Sequence, residues 1–207
     1  MRRQNRKQGA FARFIAEWGL FSLTMALGYL SIIFVWNLVV VDGHSMDPTL
    51  ADKERLVIVK VTPIDRFDIV VAKETDDDGK EKQIVKRVIG MPGDTIRYEN
   101  DQLYINGEKT DEPYLTDYME KFKDDRLQST YSYNSFFQRL AQNVQAFTVD
   151  KEGNPNFTIE VPQGEYLLLG DDRIVSKDSR QVGTFKAEQI QGEAKVRFWP
   201  FKRIGTF

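Results

Sequence analysis

A serine and a lysine are the two residues of this chain whose types and settings favour nucleophilic chemistry. Ser45 lies in the turn-rich stretch Gly43–Leu50, and a hydroxyl becomes a nucleophile when a neighbouring base removes its proton. The 207 residues include no cysteine and one histidine. These counts exclude disulfides, cysteine nucleophiles, thiolate zinc sites, iron–sulfur clusters and sites built from several imidazoles. We expect neither a metal nor a cofactor.

The single histidine is a poor base for this serine. His44 directly precedes Ser45, and adjacent side chains in extended structure point to opposite sides, whereas a base must come within about 3 Å of the hydroxyl oxygen. A lysine can serve instead when burial disfavours its ammonium form. The alternative interpretation of Ser45 is a turn serine or a helix cap.

Lys86 is the candidate base, because it lies in an apolar run with the period of a strand. Lys86 would share one face with Ile84 and Val88, while Arg87 would lie on the other face. Burial that lowers the lysine pKa from about 10.4 to about 8 requires roughly 3 kcal/mol. Alternatively, Lys86 reaches out to water and Arg87 faces inward, and periodicity does not separate these two arrangements.

The element that precedes the serine is an apolar run of 24 uncharged residues, 18–41. A helix needs roughly 20 such residues to cross a bilayer, and Trp18 and Trp36 stand where interfacial aromatic anchors belong. Residues 1–17 contain five basic residues against Glu17, a net charge of +4, so the other 190 residues carry −6 of the total of −2. The positive-inside rule then predicts a cytoplasmic N-terminus and a body on the outer face.

A cleavable signal peptide is the alternative to a retained anchor. Its apolar core would be about 7–15 residues long, followed by a small-x-small site. Ala26-Leu27-Gly28 matches such a site but lies in the middle of the run, and apolar sequence continues to Val41. The sequence therefore favours a retained transmembrane anchor.

The remaining 166 residues have the pattern of a β-rich body with an insertion. Short apolar or alternating runs predict strands, and a polar segment with helical stripes interrupts them between 107 and 160. The total charge and the pI near 5.6 give no basic face for nucleic acid. The predicted fold is mainly β with an inserted mixed α/β segment and one N-terminal transmembrane helix. The predicted runs are Leu56–Val61, Asp68–Ala72, Gln83–Ile89, Thr95–Tyr98, Leu103–Ile105, Phe157–Val161, Tyr166–Leu169 and Val196–Trp199.

The predicted organisation has four parts. Residues 1–17 form a basic cytoplasmic segment, and 18–41 form the anchor. Residues 42–106 and 161–207 form a catalytic β-rich domain, and 107–160 form an inserted accessory segment.

Four stretches in this order resemble the bacterial type I signal peptidases, in their short form with a single anchor. They are Ser45–Leu50, Arg66–Val71, Lys86–Asp94 and Gly170–Arg180. The resemblance covers almost the whole chain. It implies a membrane-bound serine endopeptidase of family S26 that removes signal peptides from exported preproteins, cutting after small-x-small motifs such as Ala-x-Ala.

The resemblance also implies roles for individual residues. Ser45 would attack the scissile carbonyl and Lys86 would take its proton, while Ser176 would orient the lysine amine. Asp178 and Arg180 would support the site as an ion pair, and Asp171 and Arg173 would be structural. The backbone N–H of Ser45 would form the oxyanion hole, because developing negative charge needs preorganised donors.

Two positions depart from the family pattern. Gly43 stands where some members have a serine that contributes to the oxyanion hole, so a backbone donor or water would have to substitute. Asp172 stands where members often have asparagine, which changes the hydrogen bonding of that block.

The resemblance also suggests where substrate and membrane would bind. Pocket walls are expected at Val39 or Val41, Met46, Ile84 and Val85, with the substrate added as a strand beside Gln83–Lys86. The aromatic residues of Phe198–Phe201, with basic residues around them, either enter the membrane surface or fill the core.

The expected partners are signal peptides of secreted preproteins, membrane lipid and the export translocon, with no nucleic acid. The expected location is the bacterial plasma membrane. Two rival functions are a noncatalytic assembly factor for surface proteins, which has no need of a Ser-Lys pair, and a self-cleaving repressor of related fold. The second expects a DNA-binding domain and no membrane span, and this chain has the reverse pattern.

Overall fold

The computed structural model describes residues 2–75 and 78–207. Helix α1 (Arg2–Phe34) contains an 18-residue apolar window, Glu17–Phe34, that is long enough to cross a membrane and is not buried in the protein. For the basic residues of the predicted N-terminal segment, the structure describes the helix but not the side chains.

The helical part of the predicted anchor ends seven residues earlier than Val41. Strand β1 (Trp36–Val40) follows α1 almost at once and pairs antiparallel with a strand further along the chain. An uninterrupted apolar run does not distinguish a helix from a strand, and here its last residues pair with a partner strand instead of extending the helix. The range 18–41 thus divides into a helix and a strand.

Twelve described strands form two antiparallel sheets. After β1 come β2 (Arg55–Val59), β3 (Ile69–Thr75), β4 (Glu81–Gly90), β5 (Thr95–Glu99), β6 (Gln102–Ile105), β7 (Glu108–Thr110), β8 (Asn156–Glu160), β9 (Glu165–Leu169), β10 (Phe185–Lys186), β11 (Ile190–Trp199) and β12 (Gly205–Thr206). The larger sheet has the order β1-β2-β11-β3-β4-β9-β10, with β12 beside β11, and the smaller has the order β7-β6-β5-β8. The fold is therefore mainly β, as the sequence predicts.

The smaller sheet extends beyond 107–160, the range predicted for the inserted segment. The smaller sheet begins at Thr95, because β5 pairs with both β6 and β8. Helices α2 (Thr116–Asp125) and α3 (Ser135–Asn143) lie between β7 and β8 and bury their apolar stripes in a cluster with Leu127, Tyr131 and Phe147. We call residues 95–160 the accessory segment from here on.

The apolar interior lies on both faces of the larger sheet. One cluster joins β1, β2, β3 and the Met46–Leu50 loop, and another joins β3, β4, β9 and β10. Strand β4 therefore has core on either side, and its last five residues are all buried. A short helix, α4 (Ser179–Val182), follows β9.

Candidate active site

The loop Gly43–Leu50 contains the candidate nucleophile, and we call it the nucleophile loop. It meets β4 and brings Ser45 into direct contact with Lys86. Lys86 Nζ lies 2.6 Å from Ser45 Oγ, although the two residues are 41 positions apart in the chain. This is hydrogen-bond distance, and it meets the geometric requirement for a general base that takes the serine proton. His44 lies elsewhere, since its Nδ1 is 2.9 Å from Asp47 Oδ2 and its ring packs against Tyr133.

The surroundings of Lys86 favour its neutral form. Lys86 is 4% exposed, and this burial lowers its pKa from 10.5 to about 8, against the opposing charges of Asp178 and Glu74. Desolvation penalises the ammonium because the protein interior solvates a charge poorly. A lysine with a pKa near 8 is substantially neutral in mildly alkaline solution, where it can accept a proton.

Arg87 lies on the opposite face of β4, where its charge is paired with a carboxylate. Its guanidinium binds Asp171 through two hydrogen bonds of 2.9 and 2.6 Å and donates a third to the Phe67 carbonyl. The sequence left open which of the two basic residues faces inward. The structure buries both, with Arg87 paired to a carboxylate and Lys86 bonded to a serine.

The nucleophile loop is held by contacts at both ends. Gly43 has a φ of +89°, a region that side-chain-bearing residues rarely adopt, and its N–H donates to Asp52 at 2.8 Å. This backbone conformation accounts for glycine at position 43. At the other end, Thr49 donates to Asp171 at 2.5 Å, so the Arg87–Asp171 pair also anchors the loop.

The Gly170–Arg180 segment supports the site from a second direction. Arg180 and Asp178 form two hydrogen bonds of 2.9 Å and are both buried. Burial acts to raise the pKa of Asp178, but the charge and hydrogen bonds of Arg180 and the Gly170 N–H outweigh it and hold that pKa below its usual range. Arg180 also donates to the Arg173 carbonyl at 2.9 Å. The segment is thereby folded back on itself.

Gly170 stands at the closest approach between this segment and the nucleophile loop. A Cβ on residue 170 would lie closer than 3.0 Å to Ser176 Oγ and to the Ser45 carbonyl oxygen. Ser176 is buried, and within the described part of the chain its Oγ has no hydrogen-bond partner. The hydrogen bond between Lys86 and Ser176 that the resemblance implies is therefore not formed here, and the lysine amine bonds to Ser45.

Two buried polar contacts tie the segment to the accessory segment, and sequence reasoning missed both. Arg173, fully buried, binds Glu112 at 2.5 Å and Tyr98 at 2.8 Å. Asp172 accepts a hydrogen bond of 2.6 Å from Tyr131. These partners are separated by 41 to 75 positions, so local patterns carry no signal for them.

A cleft of about 260 Å³ opens beside the two central residues. All four predicted pocket residues line it. Val39 does not, and it packs with Val41 and Met46 in one core cluster. Strand β4 pairs with β3 over Glu81–Arg87 but with β9 only from Arg87 onward. Among the described strands, the Glu81–Lys86 stretch thus has one unpaired edge at the cleft. The lining residues are Val41, Asp42, Ser45, Met46, Lys82, Gln83, Ile84, Val85 and Lys86.

The described residues contain no cluster of three or more histidines or carboxylates arranged to hold a metal ion. The site is organised around a hydroxyl, an amine and a cleft that presents a strand edge. This arrangement can activate a serine and hold an extended chain beside it.

Known proteins share much of this sequence. The family model described as signal peptidase, peptidase S26, matches residues 15–199. The signal peptidase I of Streptococcus pneumoniae is 65% identical over 204 residues, which cover 95% of this chain and 98% of that protein. The signal peptidase IB of Staphylococcus aureus is 37% identical over 198 residues, or 92% of each chain. A crystal structure of a signal peptidase I from Enterococcus faecalis is 28% identical and covers 65% of this chain and 99% of its own, with a TM-score of 0.45.

Proposed function

Since this chain belongs to the bacterial type I signal peptidases of the S26 family, we propose that it removes signal peptides from exported preproteins with a Ser45–Lys86 dyad. The observation that carries the dyad is the 2.6 Å contact between Lys86 Nζ and Ser45 Oγ at a buried site. The substrates are preproteins that bear signal peptides, and the reaction is hydrolysis of one peptide bond.

The dyad performs the two proton transfers of acyl transfer. Neutral Lys86 takes the proton of Ser45 as Oγ attacks the scissile carbonyl, and the resulting ammonium then protonates the leaving amine. Water hydrolyses the acyl-enzyme with Lys86 again acting as base. The buried carboxylates of Asp178 and Glu74 favour the ammonium while it exists.

The backbone N–H of Ser45 is the proposed donor to the oxyanion. Within the described residues this N–H donates to no protein acceptor, so it is available to the substrate. A donor fixed before the reaction stabilises developing charge without reorganisation. Gly43, two residues earlier, carries no side chain, and no atom outside its two chain neighbours lies within 4 Å of the position that a Cβ would take.

Ser176 is proposed to orient the lysine amine during catalysis. Its Oγ is buried beside the Ser45 carbonyl and has no partner among the described residues. Once Ser45 Oγ is bonded to the substrate, Lys86 needs another acceptor, and a free buried hydroxyl can supply it.

The substrate is proposed to bind as an added strand on the unpaired edge of Glu81–Lys86. Main-chain hydrogen bonds would hold it, and the shallow apolar walls at Val41, Met46, Ile84 and Val85 would accept small side chains. This arrangement suits cleavage after a small-x-small motif such as Ala-x-Ala.

The proposed topology places residues 1–17 in the cytoplasm and the catalytic body on the outer face of the plasma membrane. The apolar window of α1 is exposed, as a lipid-facing helix requires, and the charge difference across it follows the positive-inside rule. We propose membrane lipid and the export translocon as partners, and the division into anchor, catalytic body and accessory segment as the domain organisation.

The dyad is tested by cleavage of a purified preprotein with wild-type enzyme and the variants Ser45→Ala, Lys86→Met and His44→Ala. We expect the first two to lose activity by about 10³-fold or more. Met suits position 86 because it fills the buried volume without a charge. His44→Ala should retain substantial activity, because His44 bonds to Asp47 and not to Ser45.

Near-normal cleavage by Lys86→Met would show that the dyad is wrong. Absence of cleavage by all four proteins, with folding preserved, would favour the noncatalytic assembly factor instead. The four proteins should be compared by circular dichroism before the assay.

A further inference from the structure

Tyr131 connects the accessory segment to a buried carboxylate of the Gly170–Arg180 segment. Its hydroxyl donates to Asp172 Oδ1 at 2.6 Å, and both residues are fully buried. This length is in the range of hydrogen bonds from a hydroxyl to an ionised carboxylate, which are roughly twice as strong as neutral ones.

The same aspartate is bonded to the nucleophile through its backbone. The Asp172 N–H donates to the Ser45 carbonyl at 3.1 Å, and the Asp172 carbonyl accepts from the Ser176 N–H at 3.0 Å. Asp172 therefore links the two residues: its carboxylate binds Tyr131 and its backbone N–H binds Ser45.

The groups that face Asp172 are neutral or acidic. The nucleophile loop presents Asp47, itself bonded to His44, and the accessory segment presents Tyr118 and Tyr133 besides Tyr131. Within the described part of the chain, no lysine or arginine forms an ion pair with Asp172, and its Oδ2 has no hydrogen-bond partner. Tyr131 is thus the one side chain there that stabilises the ionised form by a hydrogen bond.

We propose that Tyr131 and Asp172 are positioning residues, through which the accessory segment holds the nucleophile loop in place when the Asp172 carboxylate is ionised. This inference rests on the proposed Ser45–Lys86 mechanism and adds a second ionisation to it. Neither residue touches the reacting atoms.

The ionisation is accessible near neutral pH. Burial raises the pKa of Asp172 to about 7, the Tyr131 hydrogen bond opposes this rise, and Asp47 adds to it. Activity then needs both a neutral Lys86, above about pH 8, and an ionised Asp172, above about pH 7. The logarithm of kcat/KM should rise with a slope of about 2 below pH 7 and about 1 between pH 7 and 8.

The experiment compares pH profiles of kcat/KM for wild type, Asp172→Asn and Tyr131→Phe with a preprotein substrate in detergent. Asn cannot ionise and resembles the neutral acid, so this variant should be less active than wild type at pH 9 and should keep a slope of about 1. Normalised at pH 9, wild type should be about tenfold less active than Asp172→Asn at pH 6. In Tyr131→Phe the region with a slope of about 2 should extend to higher pH. The ionised Asp172 carboxylate has lost the Tyr131 hydrogen bond there, so the pKa of Asp172 is higher.

Tyr114→Phe is the control. Tyr114 is half-buried, whereas Tyr131 is fully buried, but its hydroxyl likewise donates to a carboxylate at 2.6 Å, that of Glu112. This variant should keep the wild-type profile. Identical profiles for wild type and Asp172→Asn, or for Tyr131→Phe and Tyr114→Phe, would overturn the proposal.

A second readout does not depend on catalysis and separates the two proposals. It compares the Ser45→Ala protein with the double variant that also carries Asp172→Asn. The Tm of the protein that keeps Asp172 should fall relative to that of the double variant as pH rises from 4 to 7, because a raised carboxyl pKa penalises the ionised native state. A Tm difference that is constant with pH contradicts the inference, whereas residual cleavage by Ser45→Ala contradicts only the dyad.

Discussion

Lys86 and Arg87 are consecutive residues of β4, both are buried, and they meet opposite electrostatic surroundings. Lys86 is 4% exposed and bonds to a neutral hydroxyl, whereas Arg87 is 7% exposed and binds the Asp171 carboxylate through two nitrogens. Adjacent residues of a strand point to opposite faces. One strand therefore supplies a lysine whose ammonium form is disfavoured by burial and an arginine whose charge is kept by pairing.

The difference between these neighbours assigns them different functions. A guanidinium remains protonated in proteins and forms planar paired hydrogen bonds, while a buried ammonium readily changes its pKa. Arg87 fastens the nucleophile loop by way of Asp171 and Thr49, whereas Lys86 bonds to Ser45 and is the base in the proposed mechanism.

The first prediction concerns the alkaline dependence of activity. The Lys86 pKa is about 8, and the base must be neutral, so kcat/KM of the free enzyme should rise with pH and level off above about 8. Initial rates at low substrate concentration across the neutral and alkaline pH range measure this midpoint. A midpoint near 10, the value for an exposed lysine, would contradict the assignment.

The second prediction concerns the buried pair of Asp178 and Arg180. Asp178→Asn leaves the Arg180 guanidinium without a full charge partner, and breaking such a pair costs about 3–5 kcal/mol. Thermal unfolding in detergent should show a clearly lower Tm. The exposed pair of Lys121 and Asp117 on α2 is the control, since Asp117→Asn should change stability by less than about 0.5 kcal/mol. Equal effects from the two variants would argue against a supporting role for the buried pair.

The third prediction concerns the contact at Gly170. In Gly170→Ala the new methyl group would overlap the Ser176 side chain and the Ser45 carbonyl, and the backbone of Ser45 cannot yield without displacing the nucleophile. We expect kcat to fall by about tenfold or more, with a smaller change in KM. Gly205→Ala is the control, because its Cβ would meet only ordinary contacts at 3.9 Å. Wild-type kcat in Gly170→Ala would contradict this geometry.

The fourth prediction concerns the exposed aromatic residues at the C-terminal end. Trp199 is 41% exposed and Phe201 69% exposed, with Lys202 and Arg203 beside them, a composition that suits a membrane interface. Replacing both aromatics by Ser should reduce cleavage in bilayer vesicles more than in detergent.

Phe136→Ser provides the comparison for this last variant, since Phe136 is a 55% exposed aromatic of the accessory segment. It should change cleavage equally in vesicles and detergent. A double Trp199→Ser, Phe201→Ser variant that behaves in the same way would indicate that these aromatics do not enter the lipid.

Strand periodicity predicted most strands of the two sheets correctly, and the exceptions have physical causes. Residues 36–40 were assigned to the anchor because an apolar strand and an apolar helix look alike when no polar residue sets the period. The short strands β7, β10 and β12, of two or three residues, are below the length at which alternation can be recognised. Helix α3 ends at Asn143, and Phe147 packs against the helices from a loop.

The sequence by itself determined which chemistry was open to this protein. In a chain without cysteine and with its one histidine directly beside Ser45, lysine is the candidate base, and the strand pattern around Lys86 predicted one. The charge difference across an uncharged run of 24 residues likewise predicted an anchor and its orientation.

Only the tertiary structure decided what Lys86 and its neighbours contact. Burial of Lys86, its bond to Ser45, and the connection from Tyr131 through Asp172 all depend on strands and loops that meet across 41 chain positions. Alternation along a strand predicts which residues share a face. The desolvation of a side chain such as Lys86 depends instead on what packs against that face. That information lies in the pairing of distant segments, which no local pattern contains.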